Sequence, residues 1–238
     1  MPVPGHGASR VLYRLVSLEQ AATERERLVS SLAGEELLRG NRLIDRGKAE
    51  LFLLGRGVLR QTLSGVVGME PGEIRFSEGE FGKPYLSEQA EGDPIGFNVS
   101  HAGSYLLVAV GHGAEVGVDL EEVRQDLDYA PMARRYFSRR EQEDLFALEP
   151  QERIAAFYRC WTRKEAYLKG TGSGFSRPST SFDVSFLPHQ APALLAHRGS
   201  AAEVDRWTIR DLPAPEGYLA AIAIEDKNAR TARTTPSS

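Results

Sequence analysis

Two acidic side chains alternate with apolar ones in the stretch VGVDLE, residues 116–121. If this stretch is a strand, Val118 and Leu120 point to one face, and Asp119 and Glu121 point to the other. Two neighbouring carboxylates repel each other unless a positive group lies close to both. The stretch therefore predicts either a site for a cation or, more simply, an edge strand whose acidic face is solvated.

A further carboxylate is out of place in the helix predicted from about residue 151 to residue 169. Six side chains of this helix fall on one stripe at helical spacing, namely Ile154, Phe157, Tyr158, Trp161, Glu165 and Leu168. A carboxylate on an otherwise apolar face is costly unless it is paired or bound to a metal. Lys169 lies one turn after Glu165 and can share its face. The two therefore form either an ordinary helix salt bridge at the edge of the core or part of a site.

The two acidic features explain each other if the helix packs against the strand. Asp119, Glu121 and Glu165 would then supply three oxygen ligands at one point. Ligation by oxygen alone suits a hard cation, Mg²⁺ or Mn²⁺, rather than zinc. Because Mg²⁺ also binds phosphate oxygens, a diphosphate is the natural third component of such a site.

Composition excludes several classes of protein. The chain has 238 residues, of which 41% are hydrophobic and 26% charged, with a formal net charge of −4. This length allows one domain or two small ones, and the charge does not suggest a nucleic-acid partner. A single cysteine, Cys160, rules out a disulfide framework or a cysteine metal cluster. The N-terminus lacks the apolar run of a signal peptide, and no stretch is long enough to span a bilayer, so we expect a cytoplasmic protein.

The predicted elements mix helices and strands. A capping box at Thr23–Glu26 predicts the start of a helical region that runs, with a break near Gly40, to about Ser64. A second capping box at Ser138–Glu141 predicts a short helix through Leu148. Seven stretches have strand character: LYRLV, IGFNVS, SYLLVAV, EVGVDLE, SFDVSFL, VDRWTIRDL and YLAAIAIE. SYLLVAV and YLAAIAI are apolar on both faces, so we expect them in sheets covered by helices.

The order of the elements repeats along the chain. An apolar helix is followed by FGKP, FNVS and SYLLVAV in the first half, and by FSRP, FDVSF and YLAAIAI in the second. This order predicts an α+β fold of two similar subdomains, 1–113 and 114–226, followed by a disordered tail, 227–238. VGVDLE would begin the second subdomain, near the seam, where clefts favour ligand sites.

Taken together, FGKPYL, FNVSHAGSY, VGVDLE and FYRCWTRKEAYLKGTGSGF resemble the Sfp-type 4′-phosphopantetheinyl transferases. The resemblance extends from about Arg39 to Tyr218, and its most specific parts are VGVDLE and WTRKEA. It implies a fold made of two similar α/β halves, a pseudo-dimer. The glycines of GTGSG follow a helix rather than a strand, so they do not form a dinucleotide-binding fingerprint.

The resemblance implies that coenzyme A is the donor and an apo carrier protein the acceptor. The phosphopantetheine arm would move to a serine hydroxyl of the carrier, and adenosine 3′,5′-bisphosphate would be released. Asp119, Glu121 and Glu165 correspond to the magnesium ligands of the family. Glu165 would also take the serine proton, directly or through a water, and Lys169 would stabilise the leaving phosphate.

Further contacts with coenzyme A are implied in the first half. Ser100 and His101 match the position that contacts the 3′-phosphate, and Lys83 with Pro84 matches the segment near the adenine nucleotide. Arg46 is expected to be a second contact with the 3′-phosphate, although Leu51 and Phe52 replace a polar contact one turn later. From the residues alone, a packed structural histidine, a loop lysine and a solvated stripe of arginines, Arg39, Arg42 and Arg46, remain open.

The segment from Arg134 to Phe146 combines basic and apolar residues and is expected to dock the acidic helix of a carrier protein. An ordinary capped surface helix is the alternative. Two other functions also remain open: a magnesium-dependent phosphotransferase acting on a nucleotide, and a non-catalytic module that binds coenzyme A or a carrier. The absence of a phosphate-binding glycine loop disfavours the first, and the presence of Asp119, Glu121, Glu165 and Lys169 disfavours the second. An internal pseudo-dimer makes a monomer sufficient.

Overall fold

The structure is a computed structural model that describes residues 2–4, 10–79, 82–87, 94–172 and 177–225, with the backbone alone for 2–4. The elements of the first half are β1 (Pro2–Pro4), β2 (Arg10–Ser17), α1 (Leu18–Thr23), α2 (Arg25–Ser30), α3 (Gly34–Asn41), α4 (Arg46–Val67), β3 (Phe76–Glu78), β4 (Pro84–Leu86), β5 (Ile95–Ala102) and β6 (Tyr105–His112). Those of the second half are β7 (Val116–Glu122), α5 (Tyr129–Tyr136), α6 (Arg139–Ala147), α7 (Pro150–Thr171), β8 (Phe182–Val184), β9 (Leu194–His197), α8 (Ala202–Arg206), β10 (Trp207–Leu212) and β11 (Tyr218–Glu225).

The two halves repeat one topology. Each has a strand, short helices, a helix of 22 residues, a small hairpin and two further strands. The order β2-β6-β5 in the first sheet corresponds to β7-β11-β10 in the second, and all pairs are antiparallel. Both long helices end at a glycine in the left-handed region, Gly68 with φ 71° and Gly172 with φ 66°. The predicted α+β pseudo-dimer is therefore confirmed.

The sheets lie face to face, with a long helix on the outer side of each. Along β6, Leu106, Val108 and Val110 pack in the cluster that contains α4, whereas Leu107 and Ala109 pack in the cluster shared with β7 and β11. Strand β6 is therefore apolar on both faces, as predicted. Its second face is covered by the other sheet rather than by a helix, which corrects the expectation that helices cover both sides.

The halves also meet at the edges of the sheets, where β5 lies beside β7. The Asn98 side-chain carbonyl accepts a hydrogen bond from the Val118 amide at 3.1 Å, and the Ser100 hydroxyl accepts one from the Leu120 amide at 3.2 Å. Side chains of β5 thus take the place of a backbone ladder at the seam, and they fix the position of β7 relative to the first half.

Each of the seven predicted stretches contains a strand, and the capping box at Ser138 is present, but Val204–Arg206 of VDRWTIRDL belong to α8. The capping box at Thr23 is wrong, because the first helix begins earlier, at Ser17, whose side chain and Gln20 form the reciprocal pair. Thr23 instead donates to the Gln20 carbonyl at 2.7 Å. The motif SLEQ has the same S-x-x-Q form and was the better signal.

One predicted equivalence within the repeat is also wrong. FNVS lies in β5, which corresponds to β10, whereas FDV forms β8 in the small hairpin. Short motifs of similar composition do not fix topology; the matching order of the sheets does. Phe81 and Phe175–Ser176 of the repeated FGKP and FSRP motifs, Ser173–Gly174 of the GTGSG turn, and the predicted tail, 227–238, lie outside the described residues.

Candidate active site between the two halves

Asp119 lies at the centre of the seam, on β7. Its carboxylate is buried, with 3% of the residue exposed, and Oδ1 accepts a hydrogen bond from the Ser100 hydroxyl of β5 at 3.2 Å. The Ser100 hydroxyl also binds the Leu120 amide. The contacts that join the two halves therefore also hold the first predicted acid in place.

Lys169 of α7 is the positive group beside this acid. Its Nζ atom lies 2.6 Å from Asp119 Oδ1 and 3.0 Å from Ser100 Oγ. Within the described part of the chain, Lys169 forms its ion pair with Asp119 and not with Glu165, so the expected salt bridge within the helix is not formed. The lysine and the strand acid form a contact between α7 and β7.

The second oxygen of Asp119 is an orphan. Oδ2 is buried and has no hydrogen-bond partner among the described residues. A buried, unpaired carboxylate oxygen is costly. Burial raises the pKa of Asp119, and the charge of Lys169 opposes that rise. This oxygen is therefore a place where a cation would stabilise the fold.

Burial and then the charge of Asp119 raise the pKa values of the other two predicted acids. Burial, followed by the charge of Asp119, raises the pKa of Glu121 to about 7, although the Trp161 indole donates to Glu121 Oε1 at 2.9 Å. Burial and the charge of Asp119 also raise the pKa of Glu165. The three carboxylates therefore occupy one region in which like charges accumulate.

The donor chemistry of this region fits a hard divalent cation, although the ligand set is not closed. In the residues that the structure describes, no three histidine, cysteine, aspartate or glutamate side chains are arranged to hold a metal ion. The predicted convergence of Asp119, Glu121 and Glu165 on one point is thus not formed in this conformation. The orphan oxygen of Asp119 and the mutual repulsion of the acids are what a cation would relieve.

Of the clefts formed by the described residues, one has Glu165 and Lys169 in its wall and another has His101. The larger has a volume of about 750 Å³ and takes its walls from both halves, including Lys83, Asn98, Trp161, Glu165, Lys169 and Arg177. The smaller, of about 490 Å³, lies along α4 and β5 and includes Lys48, Arg56, Asn98 and His101. Because both clefts include Pro84, Asn98 and Val99, they form neighbouring parts of one groove.

The predicted coenzyme A residues are distributed unevenly along this groove. His101 is exposed in the wall of the smaller cleft, where partial burial and then the charge of Lys169 lower its pKa. The Lys83 ammonium donates to Glu115 Oε2 and to the Gly170 carbonyl, both at 2.8 Å. Lys83 also lines the larger cleft, together with Pro84. Arg46 is exposed at the first residue of α4 and is absent from the walls of both clefts.

Of the basic residues in the groove, Lys48, Arg56 and Arg177 were not predicted as site residues, whereas Arg135 belongs to the predicted docking segment, Arg134 to Phe146. Lys48 and Arg56 lie in the smaller cleft, and Arg135 and Arg177 in the larger. A signal for the first pair was present in the sequence, because one stripe of α4 lines the cleft at helical spacing: Lys48, Leu51, Phe52, Gly55, Arg56 and Leu59. Arg56 is already ion-paired with Glu36, so Lys48 is the cation of this stripe better placed to meet a ligand.

Comparison with known proteins supports the family that the sequence motifs resemble. Residues 115–223 match the model of the 4′-phosphopantetheinyl transferase superfamily, and residues 20–112 match the N-terminal model of 4′-phosphopantetheinyl transferases. The transferase HetI of Nostoc sp. is 33% identical over 209 residues, which are 88% of this chain and 85% of HetI. The transferase Sfp of Bacillus subtilis is 32% identical over 162 residues, 68% of this chain and 69% of Sfp.

A solved structure, the holo-[acyl-carrier-protein] synthase of Thermotoga maritima, aligns with a TM-score of 0.38 and 19% identity over 48% of this chain and 63% of that one. Within the described residues, no helix is long and apolar enough to cross a membrane.

The family models and relatives define a transferase of phosphopantetheine groups. The chain belongs to the 4′-phosphopantetheinyl transferases and, within them, to the Sfp type.

Proposed function

We propose that this enzyme transfers 4′-phosphopantetheine from coenzyme A to a serine of an apo acyl or peptidyl carrier protein, with Mg²⁺ as the cofactor. The observation that supports this proposal most directly is that Lys169 pairs with the buried Asp119 and, together with Glu165, lines a cleft formed by both halves. A lysine with several carboxylates is what the transfer of a diphosphate ester requires: a cation site, a base and a counter-charge.

In the reaction, the serine oxygen forms a bond to the phosphorus that carries pantetheine. The bond between that phosphorus and the bridging oxygen breaks, and adenosine 3′,5′-bisphosphate leaves with the electron pair. Glu165 takes the proton of the serine; in the metal-free protein, burial and then the charge of Asp119 raise its pKa. Asp119, Glu121 and Glu165 would hold Mg²⁺, which when bound neutralises charge on the diphosphate.

Lys169 is suited to the leaving group. An ammonium group has three donors, and in this structure two of them serve Asp119 and Ser100. Among the described residues the third donor has no partner, so we assign it to an oxygen of the leaving phosphate, whose negative charge grows as the bond breaks. Ser100 then acts by holding Asp119 and Lys169 together, in addition to its expected place near the 3′-phosphate.

Coenzyme A would lie along the groove that runs from the larger cleft into the smaller one. His101 and Lys48 face its first-half end and are suited to the 3′-phosphate; Lys48 is better placed for this role than Arg46. Lys83 and Pro84 would support the nucleotide from the wall. We place the boundary of the two subdomains between residues 113 and 114, so that each supplies one wall, and a monomer is then sufficient.

The carrier protein would approach over α5 and α6. Arg135 and Tyr136 lie in the wall of the larger cleft, and Arg134, Arg139 and Arg140 are exposed near them. Arg139 and Arg140 pair with Glu143 and Asp144 within α6, so Arg134 and Arg135 are the arginines better placed to meet the acidic helix of a carrier, next to the proposed base.

Intact-protein mass spectrometry tests the proposal. Apo carrier proteins would be incubated with the enzyme, coenzyme A and Mg²⁺, with EDTA in a parallel sample and Mn²⁺ added back in another. A gain of one phosphopantetheine group that disappears with EDTA is expected. Binding of coenzyme A without any gain in mass would favour a non-catalytic module. Phosphate release from a nucleoside triphosphate without carrier modification would favour another phosphotransferase.

A further inference from the structure

A buried ion pair lies directly behind the site, on the residue before Glu165. Lys164 of α7 and Glu141 of α6 are each 2% exposed, and Lys164 Nζ lies 2.9 Å from Glu141 Oε1 and 2.7 Å from Oε2. The third donor of Lys164 binds the Phe182 carbonyl of β8 at 2.8 Å. Every donor of the ammonium is therefore used inside the protein, and none is directed at the cleft.

Glu141 connects three elements at once. Its Oε2 atom accepts a hydrogen bond from the Ser138 amide at 2.8 Å, which completes the cap of α6, and its Oε1 atom accepts one from the Val184 amide of β8 at 2.9 Å. Together with Lys164, these contacts tie the start of α6 to α7 and to β8. The proposed docking surface and the helix of the proposed base thus share one buried contact.

The pair restrains the rotation of α7 about its own axis. Successive residues of a helix differ by about 100° in direction, so Lys164 faces inward while Glu165 faces the cleft. Arg163, on the other side of Lys164, is also buried and forms a bidentate pair with Asp211 at 2.8 and 2.6 Å. A turn of α7 that moved Glu165 away from the cleft would break both of these pairs.

The first half contains an equivalent buried ion pair, but the residue next to it is not an acid. Arg60 lies seven residues before the end of α4, as Lys164 does in α7, and it is buried against Glu36 at 2.7 Å. Glu36 binds the Ala33 amide at the start of α3 as Glu141 binds the Ser138 amide at the start of α6. The residue after Arg60 is Gln61, where the second half has Glu165.

We propose that the Glu141–Lys164 pair orients α7 so that Glu165 and Lys169 face the cleft, and that it fixes the position of α6 relative to these two residues. The inference depends on the proposed function, since it assigns the pair a task in that reaction. Lys164 is a positioning residue and does not touch the substrate. Its loss therefore lowers the rate of transfer more than it weakens the binding of coenzyme A.

The test compares Lys164→Met with Arg60→Met, the matched control in the first half. For Lys164→Met, kcat for the carrier that the wild type modifies fastest should fall by about 100-fold, the cost typical of a displacement of about 1 Å at a reacting group. The KM for coenzyme A should change less than about threefold. Arg60→Met should lose a comparable amount of thermal stability and keep its kcat. Lys164→Arg should recover most of the rate, because the first half uses arginine at this position.

The double variant Glu141→Gln/Lys164→Met keeps the test decisive if the single variant does not fold. Removal of both charges of a buried pair costs far less stability than removal of one. A recovered melting temperature with a low kcat is the expected result. A kcat that recovers with the melting temperature, or an equal loss of kcat in Arg60→Met, would overturn the inference. Failure of the wild type itself to modify any carrier would instead count against the proposed function.

Discussion

Replacement of Glu121 by glutamine should stabilise the metal-free protein at high pH and leave it unchanged at low pH. The pKa of Glu121 rises from its ordinary value of 4.5 to about 7 on folding, first because of burial and then because of Asp119. The folded state therefore binds the proton more tightly than the unfolded state. Its contribution to stability is fully present below pH 4.5 and is lost as the pH rises to about 7.

The size of the effect follows from the same values. At about 1.4 kcal/mol per pKa unit, ionised Glu121 costs the fold at most about 3.5 kcal/mol above pH 7. Because the side chain is only half-buried, solvent screening reduces this to about 1–2 kcal/mol. Glutamine removes that cost and still offers an oxygen to the Trp161 indole.

Urea denaturation in EDTA at pH 4.5, 6, 7 and 8 measures the difference. The free energy of unfolding of Glu121→Gln should equal that of the wild type at pH 4.5 and exceed it at pH 8. The exposed neighbour Glu122 supplies the control, since Glu122→Gln should show no such trend. Added Mg²⁺ should stabilise the wild type at pH 8 more than the variant. A variant less stable than the wild type at pH 8, or a difference independent of pH, would refute the reasoning.

Three further substitutions test the remaining assignments. Glu165→Gln should lower kcat by roughly 10²–10⁴ while the melting temperature stays equal or rises, because it removes a partly buried charge. Transfer assays with calorimetry check both, and an active, folded variant would contradict the role of base. His101→Ala should raise the KM for coenzyme A more than that for dephospho-coenzyme A, and equal increases would mean that His101 does not contact the 3′-phosphate. Arg135→Glu should raise the KM for an acidic carrier at least about tenfold at low salt and leave the KM for coenzyme A unchanged; an unchanged carrier KM would exclude α5 from docking.

Much of the fold was predictable because local patterns determine it. The apolar runs of β6 and β11 and the reciprocal cap of Ser138 and Glu141 are signals that short stretches carry by themselves. The equivalence of FNVS with FDVS failed because it depends on which strand lies beside which. In the structure β5 pairs with β6, and β8 pairs with β9. The composition of a short motif does not indicate which strand will be its neighbour.

The sequence indicates which acids and which lysine the structure brings near the seam, but it does not indicate their contacts. Glu165 was identifiable because a carboxylate on an apolar stripe is costly, and Asp119 because of its alternation with apolar residues. The partner of Lys169 was not, since Asp119 is 50 residues away in sequence and meets Lys169 only through the packing of α7 on β7. Lys164 was hidden for the same reason: its partner, Glu141, read as no more than part of a helix cap.

The comparison of the two halves separates scaffold from chemistry. Both keep a buried carboxylate–cation pair behind the long helix, so this pair belongs to the architecture of each half. The register of the sheets places Arg14, opposite Val108, where the second half has Asp119, opposite Ala221. A positive charge at this position, together with Gln61 in place of Glu165, cannot hold a cation or accept a proton as the acids do. The proposed chemistry of transfer would therefore reside in the second half, while the first half contributes Ser100, whose hydroxyl donates to Asp119 across the seam.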